Sequence, residues 1–431
     1  MFKNCNEGVS MNSFSFVHTA DLHLDSPFKG LSEIDNTISS DLIESTFRSF
    51  NNIIDICLEK KVDFLLIAGD IYNGAERSLR AQLKFLDSLK RLDEAGIRTY
   101  IVHGNHDPLD GWAANLEWPK NVHIFRGKEV ESRTFEKNGE ETARIHGISF
   151  HRRDIRSNIS KKFPTKSNDE SIFNIGMLHC NVGTDTGHQP YAPCTLKDLI
   201  SHNFDYWALG HVHNKRIENE SDPVVIYPGN IQGRHSREKD GRGCYLVKVD
   251  ENGNTDYEFI EVDVVRWKVK EINIESMKTE QDILSDIKST IENVREESNG
   301  RASVCRIIFS GRGELHSFIN KKGFLDDILQ ELRENEIGEI QFVWIESFVD
   351  LTKSKIDKDA LLQRDDFKSD MLKLFERYLN NEDMRDELKE MLNPLLASPG
   401  GRKFLEDINE KDFSKLISKA ESLIINEFME D

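Results

Sequence analysis

Short apolar runs alternate with amphipathic stretches along the chain up to residue 263. Residues 13–21, 63–70 and 98–105 are apolar runs that end at a polar residue, a pattern that predicts buried strands. Residues 42–58 and 79–95 lie between these runs and have the spacing of amphipathic helices. Strands that alternate with helices predict an α/β fold with a mainly parallel sheet and helical crossovers.

Further apolar runs follow from residue 143 onward, and the later ones are close together in the sequence. They leave no room for a helix between successive strands. Because parallel neighbours need a crossover connection, this spacing predicts a second sheet that is more antiparallel than the first. The runs are residues 143–150, 172–180, 205–211, 223–229, 243–249 and 257–263.

The pattern changes after residue 263, where the first domain (14–263) is expected to end. Strand-like and helix-like stretches then alternate in a short segment, which predicts a small β-α-β-α-β cap domain over 264–349. The predicted strands are residues 267–274, 302–311 and 340–347, and the predicted helices are residues 281–297 and 315–332.

Residues 350–431 show no strand pattern, and we expect a helical tail that binds a partner. Apolar residues recur there at spacings of three and four, which is typical of one face of a helix. Such faces usually pack on the protein's own core, and this alternative stays open. The two faces are Met371, Leu372, Phe375 and Leu379, then Phe413, Leu416, Ile417, Ala420, Ile424 and Phe428, with helix breaks expected at Asn393 and Pro394 and at Pro399, Gly400 and Gly401.

The N-terminus, the apolar runs and the cysteines indicate the cellular compartment in which the protein is expected. Residues 1–13 lack the apolar core of a signal peptide, and we expect them to be a disordered leader. No apolar run approaches the roughly 18–20 residues that a membrane helix needs. The cysteines are scattered and form no CxxC pair, which predicts a reduced protein without a structural zinc site. The expected location is cytoplasmic, without membrane attachment.

The composition is that of a globular protein, with 38% hydrophobic and 31% charged residues. The formal net charge is −19. Duplex-binding proteins normally carry a basic surface, so this charge argues against the simplest form of nucleic-acid binding. A local basic groove remains compatible with it. Divalent cations or a partner subunit would then have to help hold a phosphate backbone.

Candidate ligands for metal ions recur at the ends of the predicted strands. In open α/β sheets, ligands bind outside the carboxyl ends of the strands, so these side chains are expected to cluster. The glycines allow the backbone to turn tightly below them. The motifs are Asp21-x-His23, Gly69-Asp70, Gly104-Asn105-His106-Asp107, a single His179 and Gly210-His211-x-His213.

The chemistry of these side chains favours two metal ions. Carboxylate, amide and imidazole ligands without thiolate suit Mn²⁺, Fe²⁺ or Zn²⁺ better than Ca²⁺. Seven such side chains are too many for one ion that must also bind substrate, but they fit two ions roughly 3.5–4 Å apart that share Asp70. Such a pair would polarise a phosphoryl group and produce a metal-bridging hydroxide nucleophile at neutral pH.

A structural explanation exists for each motif alone. Asp and His at strand ends often cap loops, glycine with Asn or Asp is common in turns, and a single buried His179 is more often structural. The complete set, in one order and at successive strand ends, favours a metal site. The remaining histidines are expected to be packing or surface residues: His18, His103, His123, His146, His202 and His316.

The order DxH, GD, GNHD, H and GHxH resembles the pattern of the calcineurin-like metallophosphoesterase family. Within that family, the stretches HTADLHLDSP (18–27) and YPGNIQGR (227–234) and the following β-α-β unit are similar to SbcD-type DNA repair exonucleases of the YhaO-like branch. The resemblance implies a four-layer α/β/β/α sandwich over 14–263. It also implies a cap domain that positions DNA.

The resemblance also implies a role for each residue of the motifs. His106 would be the catalytic general acid that protonates the leaving oxygen, and Asp107 would stabilise the loop. Two divalent cations, Mn²⁺ foremost, would be the cofactors. The first ion would be held by Asp21, His23, Asp70 and His213, and the second by Asp70, Asn105, His179 and His211.

One position departs from the family pattern. The third residue after the shared aspartate is often Asp or His in relatives and orients the catalytic histidine, whereas here it is Asn73. An amide can accept a hydrogen bond but cannot stabilise an imidazolium by charge. We therefore expect Asn73 to orient His106 without supplying a countercharge.

Three functions are compatible with the sequence. The first is a DNA nuclease subunit that works as a homodimer with an SbcC-like coiled-coil ATPase in DNA repair. The second is a stand-alone phosphatase or cyclic-nucleotide phosphodiesterase, which the acidic charge keeps open. The third is a non-enzymatic scaffold with a relic metal site, which the complete ligand set argues against. The cap and the tail favour the first function, because a small-substrate enzyme needs neither.

Overall fold

A computed structural model describes residues 11–26, 36–74, 78–167, 171–183, 189–355, 358–396, 413–414, 416–418 and 420–421. Most of the predicted leader therefore lies outside the described residues. The backbone N–H of Met11, which that prediction placed in the leader, donates to the carbonyl of Glu251 at 3.0 Å.

Strands and helices alternate through the described part of the chain, as the hydrophobic pattern predicts. The strands are β1 (Phe14–Thr19), β2 (Phe64–Ala68), β3 (Arg98–Val102), β4 (Val122–Ile124), β5 (Glu131–Lys137), β6 (Glu140–Ile148), β7 (Phe173–His179), β8 (Tyr206–Gly210), β9 (Arg216–Asn219), β10 (Val224–Tyr227), β11 (Gly243–Val249), β12 (Thr255–Glu261), β13 (Val265–Asn273), β14 (Ala302–Ser310), β15 (Arg312–Gly313), β16 (Val343–Asp350) and β17 (Lys353–Ser354). The helices are α1 (Asn36–Lys60), α2 (Leu79–Glu94), α3 (Leu196–Ile200), α4 (Glu280–Glu297), α5 (His316–Ile319), α6 (Phe324–Glu336), α7 (Lys358–Leu362), α8 (Phe367–Asn380) and α9 (Glu382–Leu396).

The first sheet has the strand order β12-β11-β1-β2-β3-β4. Strands β1 to β4 are parallel, and α1 and α2 follow β1 and β2 as the predicted crossovers. Strand β11 pairs antiparallel with β1, and β12 pairs antiparallel with β11. The apolar runs at 243–249 and 257–263 therefore extend the first sheet and are not part of the second.

The second sheet has the order β5-β6-β7-β8-β10-β9. Its outer pairs are antiparallel, but β6, β7, β8 and β10 are parallel neighbours. The prediction of a more antiparallel second sheet is therefore wrong. Parallel strands need a crossover, but the crossover need not be a long helix. Here a loop with a short 3₁₀ turn at Ser160–Lys162 connects β6 to β7, and the five-residue α3 lies between β7 and β8.

The layers can be followed in the alternating side chains of β2. Leu65 and Ile67 join the core formed with α1 and α2, whereas Phe64 and Leu66 join the core between the two sheets. The other face of the second sheet packs in a third core, which includes Trp207 and side chains of α3 and the loops. The order of helices, sheet, sheet, then helix and loops confirms the α/β/β/α sandwich. The outermost layer is thin because α3 is short.

The cap follows as three parallel strands in the order β13-β14-β16. Helix α4 begins at a capping box of Thr279 and Asp282 and buries Ile283, Ile287 and Ile291. The single helix expected over 315–332 is wrong, because two helices, α5 and α6, lie in this region. Gly323, with a φ of 86°, is in the left-handed region just before α6 and ends any continuous helix.

The tail belongs to a second compact unit of residues 312–316 and 353–431, the first unit being 1–311 and 317–352. In the described part of this unit, the short strands β15 and β17 pair, and α7, α8 and α9 follow. The expected break at Asn393 and Pro394 is wrong, because α9 continues through Pro394. Leu372, Phe413 and Ile417 are buried, so parts of the predicted apolar faces pack within the protein, as the alternative anticipated. The break expected at 399–401, Ile424 and Phe428 lie outside the described residues.

Trp267 gives a test of how the cap is joined to the sandwich. Its side chain is 2% exposed, shares a core with Leu42 of α1 and donates from Nε1 to the carbonyl of Gly233 at 3.2 Å. We expect Trp267→Ala to lower the free energy of unfolding by about 3–5 kcal/mol, measured by urea denaturation, because truncation leaves a cavity. Trp112→Ala is the matched control, since Trp112 is 56% exposed and should change it by less than about 0.5 kcal/mol. Equal effects of the two variants would contradict this account of the cap.

Candidate metal centre

The candidate site lies where the parallel strands end. Asp21 follows β1, Asp70 follows β2 and Asn105 follows β3 in the first sheet. In the second sheet, His179 is the last residue of β7, and His211 follows β8. Because the carboxyl ends of parallel strands lie at one edge of a sheet, these side chains approach one another.

The loops after β1 and β2 are held together by their backbones. The N–H of Asp21 donates to the carbonyl of Gly69, and the N–H of His23 donates to that of Asp70, both at 3.0 Å. Asp21, His23 and Asp70 have φ values of 50°, 44° and 51°, and His211 has one of 104°. A left-handed backbone costs of order 1–3 kcal/mol at a residue other than glycine, and it clusters at functional sites.

Two glycines are required by close packing at this edge. A Cβ on Gly104 would overlap the carboxylate of Asp70 and the ring of His179. A Cβ on Gly69 would overlap His179 as well, and Gly69 has a φ of 95°. The motif glycines therefore allow the two sheets to bring their polar side chains into direct contact.

Asp21, His23 and His213 form the first cluster of ligand atoms, which all lie within 4.8 Å of one another. The Nε2 atoms of His23 and His213 are 3.1 Å apart. His213 Nδ1 lies 2.6 Å from Oε1 of Glu238. When His213 donates a proton from Nδ1 to Glu238, its Nε2 carries a lone pair toward His23.

The second cluster consists of Asp21, Asp70 and His179, again within 4.8 Å. Asn105 joins it, because its Oδ1 lies 3.2 Å from Nε2 of His179. Oδ2 of Asp70 lies 3.4 Å from Nε2 of His179 and 3.8 Å from Nε2 of His23. Asp21 is therefore the residue common to both clusters, whereas Asp70, the expected shared ligand, belongs to the second cluster and approaches the first through His23.

His211 is placed differently from the other candidate ligands. Its ring lies 5.3 Å from the ring of His179, but its Nε2 contacts the carbonyl of Gln189 at 3.0 Å. Its backbone N–H donates to both carboxylate oxygens of Asp21, at 3.2 and 3.0 Å. If Nε2 donates to Gln189, Nδ1 is the nitrogen of His211 that can bind a cation.

The donor set fits divalent cations. His179 Nδ1 lies 2.9 Å from the carbonyl of Ala68, which orients its Nε2 toward Asp70 and Asn105. Nε2 of His179 and the oxygens of Asp70 and Asn105 are all electron-pair donors, as are the facing Nε2 atoms of His23 and His213. A positive charge among these atoms, supplied by protons or by cations, is needed to make the arrangement stable.

The pKa values of the buried carboxyl and imidazole groups also show that the site requires positive charge. Burial raises the pKa of Asp21 to about 7. Burial alone would lower the pKa of His179, but the negative charge of Asp70 raises it to about 9. Burial likewise opposes ionisation of Asp70, yet the nearby His179 holds the pKa of Asp70 well below its usual range. A proton on His179 thus supplies positive charge at the place where a cation would supply more.

His106 is held beside these clusters and not within them. Its backbone N–H donates to Oδ1 of Asp70 at 2.9 Å, and its ring centroid lies 5.0 Å from that of His23. His106 Nδ1 lies 3.0 Å from the backbone carbonyl of Asn73. That carbonyl orients the ring through Nδ1. Nε2 is then the second ring nitrogen, which can carry a proton toward a substrate.

The expectation that the amide side chain of Asn73 orients His106 is wrong in its detail. The backbone carbonyl makes that contact, whereas Oδ1 of Asn73 accepts a hydrogen bond from Nη1 of Arg234 at 3.1 Å. An aspartate at position 73 would therefore face the guanidinium of Arg234.

Two charged residues at the site were not identified from the sequence. Glu238 is 4% exposed and contacts His213, and burial would raise its pKa, but the hydrogen bond with His213 and the charge of Arg234 hold the pKa of Glu238 well below its usual range. Arg234 is 9% exposed and donates to Ser26 and Asn73. Arg234 is the last residue of the YPGNIQGR stretch (227–234) that carries the resemblance, so that stretch could have pointed to it, whereas nothing in the sequence marks Glu238, because burial of its loop is a property of the fold.

Asp107 stabilises its loop, as predicted. Its carboxylate accepts hydrogen bonds from the backbone N–H groups of Ile71 and Gly104, at 3.0 and 2.9 Å, and contacts Nδ1 of His103 at 2.9 Å. His18 is buried against Tyr206, with Nδ1 3.0 Å from the hydroxyl. Both histidines therefore have structural partners, which is consistent with the packing role expected of them.

The chain is similar to known phosphoesterases over most of its length. Residues 14–215 match the calcineurin-like phosphoesterase family, and residues 267–353 match the middle domain of the metallophosphoesterase YhaO. The chain is 34% identical over 416 residues to the uncharacterized metallophosphoesterase YhaO of Bacillus subtilis, covering 96% of this chain and 98% of that protein. It is 27% identical over 394 residues to the DNA double-strand break repair protein Mre11 of Methanocaldococcus jannaschii, covering 88% and 98%. Mre11 of Thermoplasma acidophilum is 24% identical over 290 residues, covering 65% and 73%.

Within the residues that the structure describes, every helix is too short or too polar to cross a bilayer.

Removal of Glu238 tests whether this residue supports a metal ligand. The contact with Glu238 orients the ring of His213 and selects its tautomer, and such supporting contacts typically contribute 10–100-fold to metal affinity. We therefore expect Glu238→Ala to weaken Mn²⁺ binding by about that factor, measured by titration calorimetry. Glu251→Ala, at an exposed turn, is the control. Unchanged Mn²⁺ affinity in Glu238→Ala would show that His213 does not depend on this contact.

Proposed function

Because the chain belongs to the calcineurin-like metallophosphoesterase family, we propose that it is a DNA nuclease subunit that uses two divalent cations, Mn²⁺ foremost, to hydrolyse phosphodiester bonds. Membership of the family confirms the resemblance deduced from the motifs, including that to the YhaO branch. It also makes the chain a metal-dependent phosphoesterase. Our proposal goes beyond family membership in three respects: the substrate is DNA, the cations are Mn²⁺ and the chain binds a partner.

The proposal depends above all on the convergence of oxygen and imidazole donors around Asp70. The two clusters that share this edge of the sheets have the composition that suits Mn²⁺, Fe²⁺ or Zn²⁺. Two bound cations would polarise the phosphoryl oxygens and supply a hydroxide nucleophile at neutral pH. The first would be held by Asp21, His23, Asp70 and His213, and the second by Asp70, Asn105, His179 and His211.

His106 is proposed as the general acid. The carbonyl of Asn73 fixes its Nδ1 as a donor, so a protonated ring can give the proton on Nε2 to the leaving oxygen. The bond from its backbone N–H to Asp70 keeps the ring next to the clusters. His106 thus holds and moves a proton, while the surrounding side chains hold positive charge.

DNA is favoured as substrate by the extent of the similarity. The match to a DNA double-strand break repair protein spans 98% of that relative and is not confined to the phosphoesterase residues. The match also includes the cap, which shares a buried core with α1 of the sandwich. A small phosphate ester would need neither feature.

A stand-alone phosphatase or cyclic-nucleotide phosphodiesterase is the second candidate. The net charge of −19 favours it, because polyanions are repelled by an acidic protein at long range. A scaffold with a relic site is disfavoured, since the described structure brings each predicted ligand residue to one edge of the sheets.

The proposed partner is an SbcC-like coiled-coil ATPase, bound by the tail of a homodimeric nuclease. Exposed apolar side chains on the tail support an interaction there. Phe367 is 75% exposed, Leu374 is 41% exposed and Met391 is 66% exposed. Phe367 and Leu374 lie on α8 and Met391 lies on α9. Exposed apolar side chains on helices are suitable contacts for another helix.

Replacement of His106 separates catalysis from metal binding. We expect His106→Gln to keep its metal content and to lose about 10²–10⁴-fold in turnover of bis(p-nitrophenyl) phosphate, the usual contribution of a general acid. His211→Ala is the comparison variant, and it should lose metal as well as activity. Metal content is measured by mass spectrometry after Mn²⁺ reconstitution. Loss of metal in His106→Gln would make His106 a ligand and not an acid.

The substrate is tested by incubating the purified protein with end-labelled duplex and single-stranded DNA, in Mn²⁺ and in EDTA. We expect two ions per chain, degradation of DNA in Mn²⁺ and none in EDTA. Hydrolysis of bis(p-nitrophenyl) phosphate without any degradation of DNA would reject the nuclease and favour the second candidate.

The tail is tested by replacing Phe367 and Met391 together with serine. We expect this variant to lose co-elution with an SbcC-like coiled-coil ATPase, because the apolar contact is removed, and to retain phosphodiesterase activity. Ile340→Ser is the control, since Ile340 is 86% exposed but lies outside the tail. Co-elution that survives in the double variant would place the partner elsewhere.

A further inference from the structure

Arg234 carries a guanidinium that contacts two different parts of the site. The residue is 9% exposed and lies in the loop that follows β10. Its Nη1 donates to Oδ1 of Asn73 and to Oγ of Ser26, both at 3.1 Å. Its Nη2 lies 3.5 Å from Nδ1 of His213 and 3.7 Å from Oε1 of Glu238. The two terminal nitrogens of one planar group therefore face the loops of the first sheet on one side and a candidate metal ligand on the other.

The Nη1 side of the guanidinium leads to His106 through Asn73. Arg234 binds the side-chain oxygen of Asn73, and the backbone carbonyl of the same residue lies 3.0 Å from Nδ1 of His106. Ser26, the second acceptor, has an N–H that donates to the carbonyl of His23 at 3.2 Å. Because Nη1 binds both loops, it limits how far the carbonyl of Asn73 can move relative to the metal clusters. Arg234 thereby restricts the direction of the His106 ring without contacting it.

The other side of Arg234 leads to His213 through Glu238. The backbone N–H of Arg234 donates to Oε2 of Glu238 at 2.8 Å, and Oε1 of the same carboxylate lies 2.6 Å from Nδ1 of His213. One oxygen of Glu238 is therefore held by the arginine and the other by the histidine. Fixing such a supporting carboxylate orients the ring that it contacts and selects the tautomer of that ring.

Stability of the fold does not account for the position of Arg234. Its Nε is buried and forms no hydrogen bond with any described residue, and an unpaired buried donor costs about 1–3 kcal/mol. Arg266, which is 7% exposed, is different because its Nε donates to a carboxylate oxygen of Asp263 at 3.0 Å and its Nη2 donates to Glu261. Arg266 is thus paired with charges, whereas the contacts of Arg234 are to the groups that support the site.

The loop that carries Arg234 is itself fixed. The carbonyl of Gly233 accepts a hydrogen bond from Nε1 of Trp267 at 3.2 Å, and Nε2 of Gln232 donates to the carbonyl of Val265 at 2.6 Å. A Cβ on Gly233 would lie 2.6 Å from the backbone oxygen of Glu238, so the loop is closely packed. A group that positions others must be held in one place by its own neighbours. This loop meets that condition because the base of the cap holds it.

We propose that Arg234 is a positioning residue that sets His106 and His213 relative to each other. This inference rests on the proposed function, in which His106 is the general acid and His213 is a metal ligand. Arg234 would act through Asn73 on the first and through Glu238 on the second. Proton donation and cation binding would then take place in one fixed geometry. A misplacement of about 1 Å can cost on the order of 10²-fold in rate, so loss of this arrangement is measurable.

The test uses variants that remove one side of the arrangement or both. Asn73→Ala removes the acceptor of Nη1 alone, Asn73→Asp keeps an oxygen at that place, and Arg234→Ala removes both sides. Arg266→Ala is the matched control, because it removes a buried arginine that contacts none of these groups. The Mn²⁺ affinity is measured by titration calorimetry. The kcat and KM for bis(p-nitrophenyl) phosphate are measured at Mn²⁺ concentrations that saturate each variant.

The two sides of Arg234 should separate in these measurements. We expect Asn73→Ala to lower kcat by about 10- to 100-fold, with KM and Mn²⁺ affinity unchanged, because only the direction of His106 is lost. Asn73→Asp should restore most of kcat. Arg234→Ala should show the same loss of kcat and, in addition, bind Mn²⁺ about 10-fold more weakly, because Glu238 is released. Arg266→Ala should keep both values.

A double variant shows whether Asn73 and Arg234 act together. Once Arg234 is alanine, the side chain of Asn73 has lost its donor, so Asn73→Ala should lower kcat no further. Effects that multiply would mean that the two residues act independently, which overturns the inference. If Arg234→Ala does not fold, Arg234→Lys takes its place in this comparison, because an ammonium keeps the charge but lacks the planar fork.

The remaining outcomes distinguish this inference from the proposed function. If the unmodified protein binds Mn²⁺ and hydrolyses the ester, but Asn73→Ala and Arg234→Ala do so equally well, Arg234 is not a positioning residue. An equal loss of kcat in Arg266→Ala would reduce its role to general stability and reject the inference too. An unmodified protein that neither binds Mn²⁺ nor hydrolyses the ester would reject the proposed function, and this inference with it.

Discussion

Asp70 carries a carboxylate that is 1% exposed, and the loops of both sheets are arranged around its two oxygens. Oδ1 accepts the backbone N–H of His106, and Oδ2 faces His179 from the second sheet and His23 from the first. A buried carboxylate without compensating charge is strongly unfavourable. The left-handed residues and the packed glycines of the motifs are consequences of bringing several loops to this one group.

The acidic character of the chain and the binding of a polyanion are compatible because charge acts locally. At physiological ionic strength, exposed charges more than about 8–10 Å apart are largely screened from each other. The lining of a groove between the sandwich and the cap contains five basic side chains and one acidic side chain, so the local charge there is opposite to that of the whole chain. The net charge of −19 would therefore affect the approach of a polyanion from a distance more than its contacts at such a surface.

The hydrophobic pattern predicted the elements better than their connections. The strands that end at Asp21, Asp70 and Asn105 were predicted because a strand buried on both faces reads as a continuous apolar run. The parallel direction of β6 and β7 was not predictable, because the loop that connects these two strands forms the crossover without an α-helix. Gly323 and Pro394 show the same limit of prediction from local sequence. A helix predicted to be continuous is interrupted at Gly323, whereas α9 continues through Pro394, where a break was predicted. Packing decides whether a helix ends at such a residue.

The candidate ligands, by contrast, were predictable from the sequence, because the side-chain chemistry and the strand ends place Asp21, Asp70 and His179 at one edge of any sheet that these strands form. The supporting residues were decided by the tertiary structure. Glu238 and Arg234 lie far from their partners in the sequence, and burial by the cap and loops makes their charges effective. The backbone of Asn73, and not its side chain, orients His106, because a carbonyl position depends on the path of the chain and not on residue type.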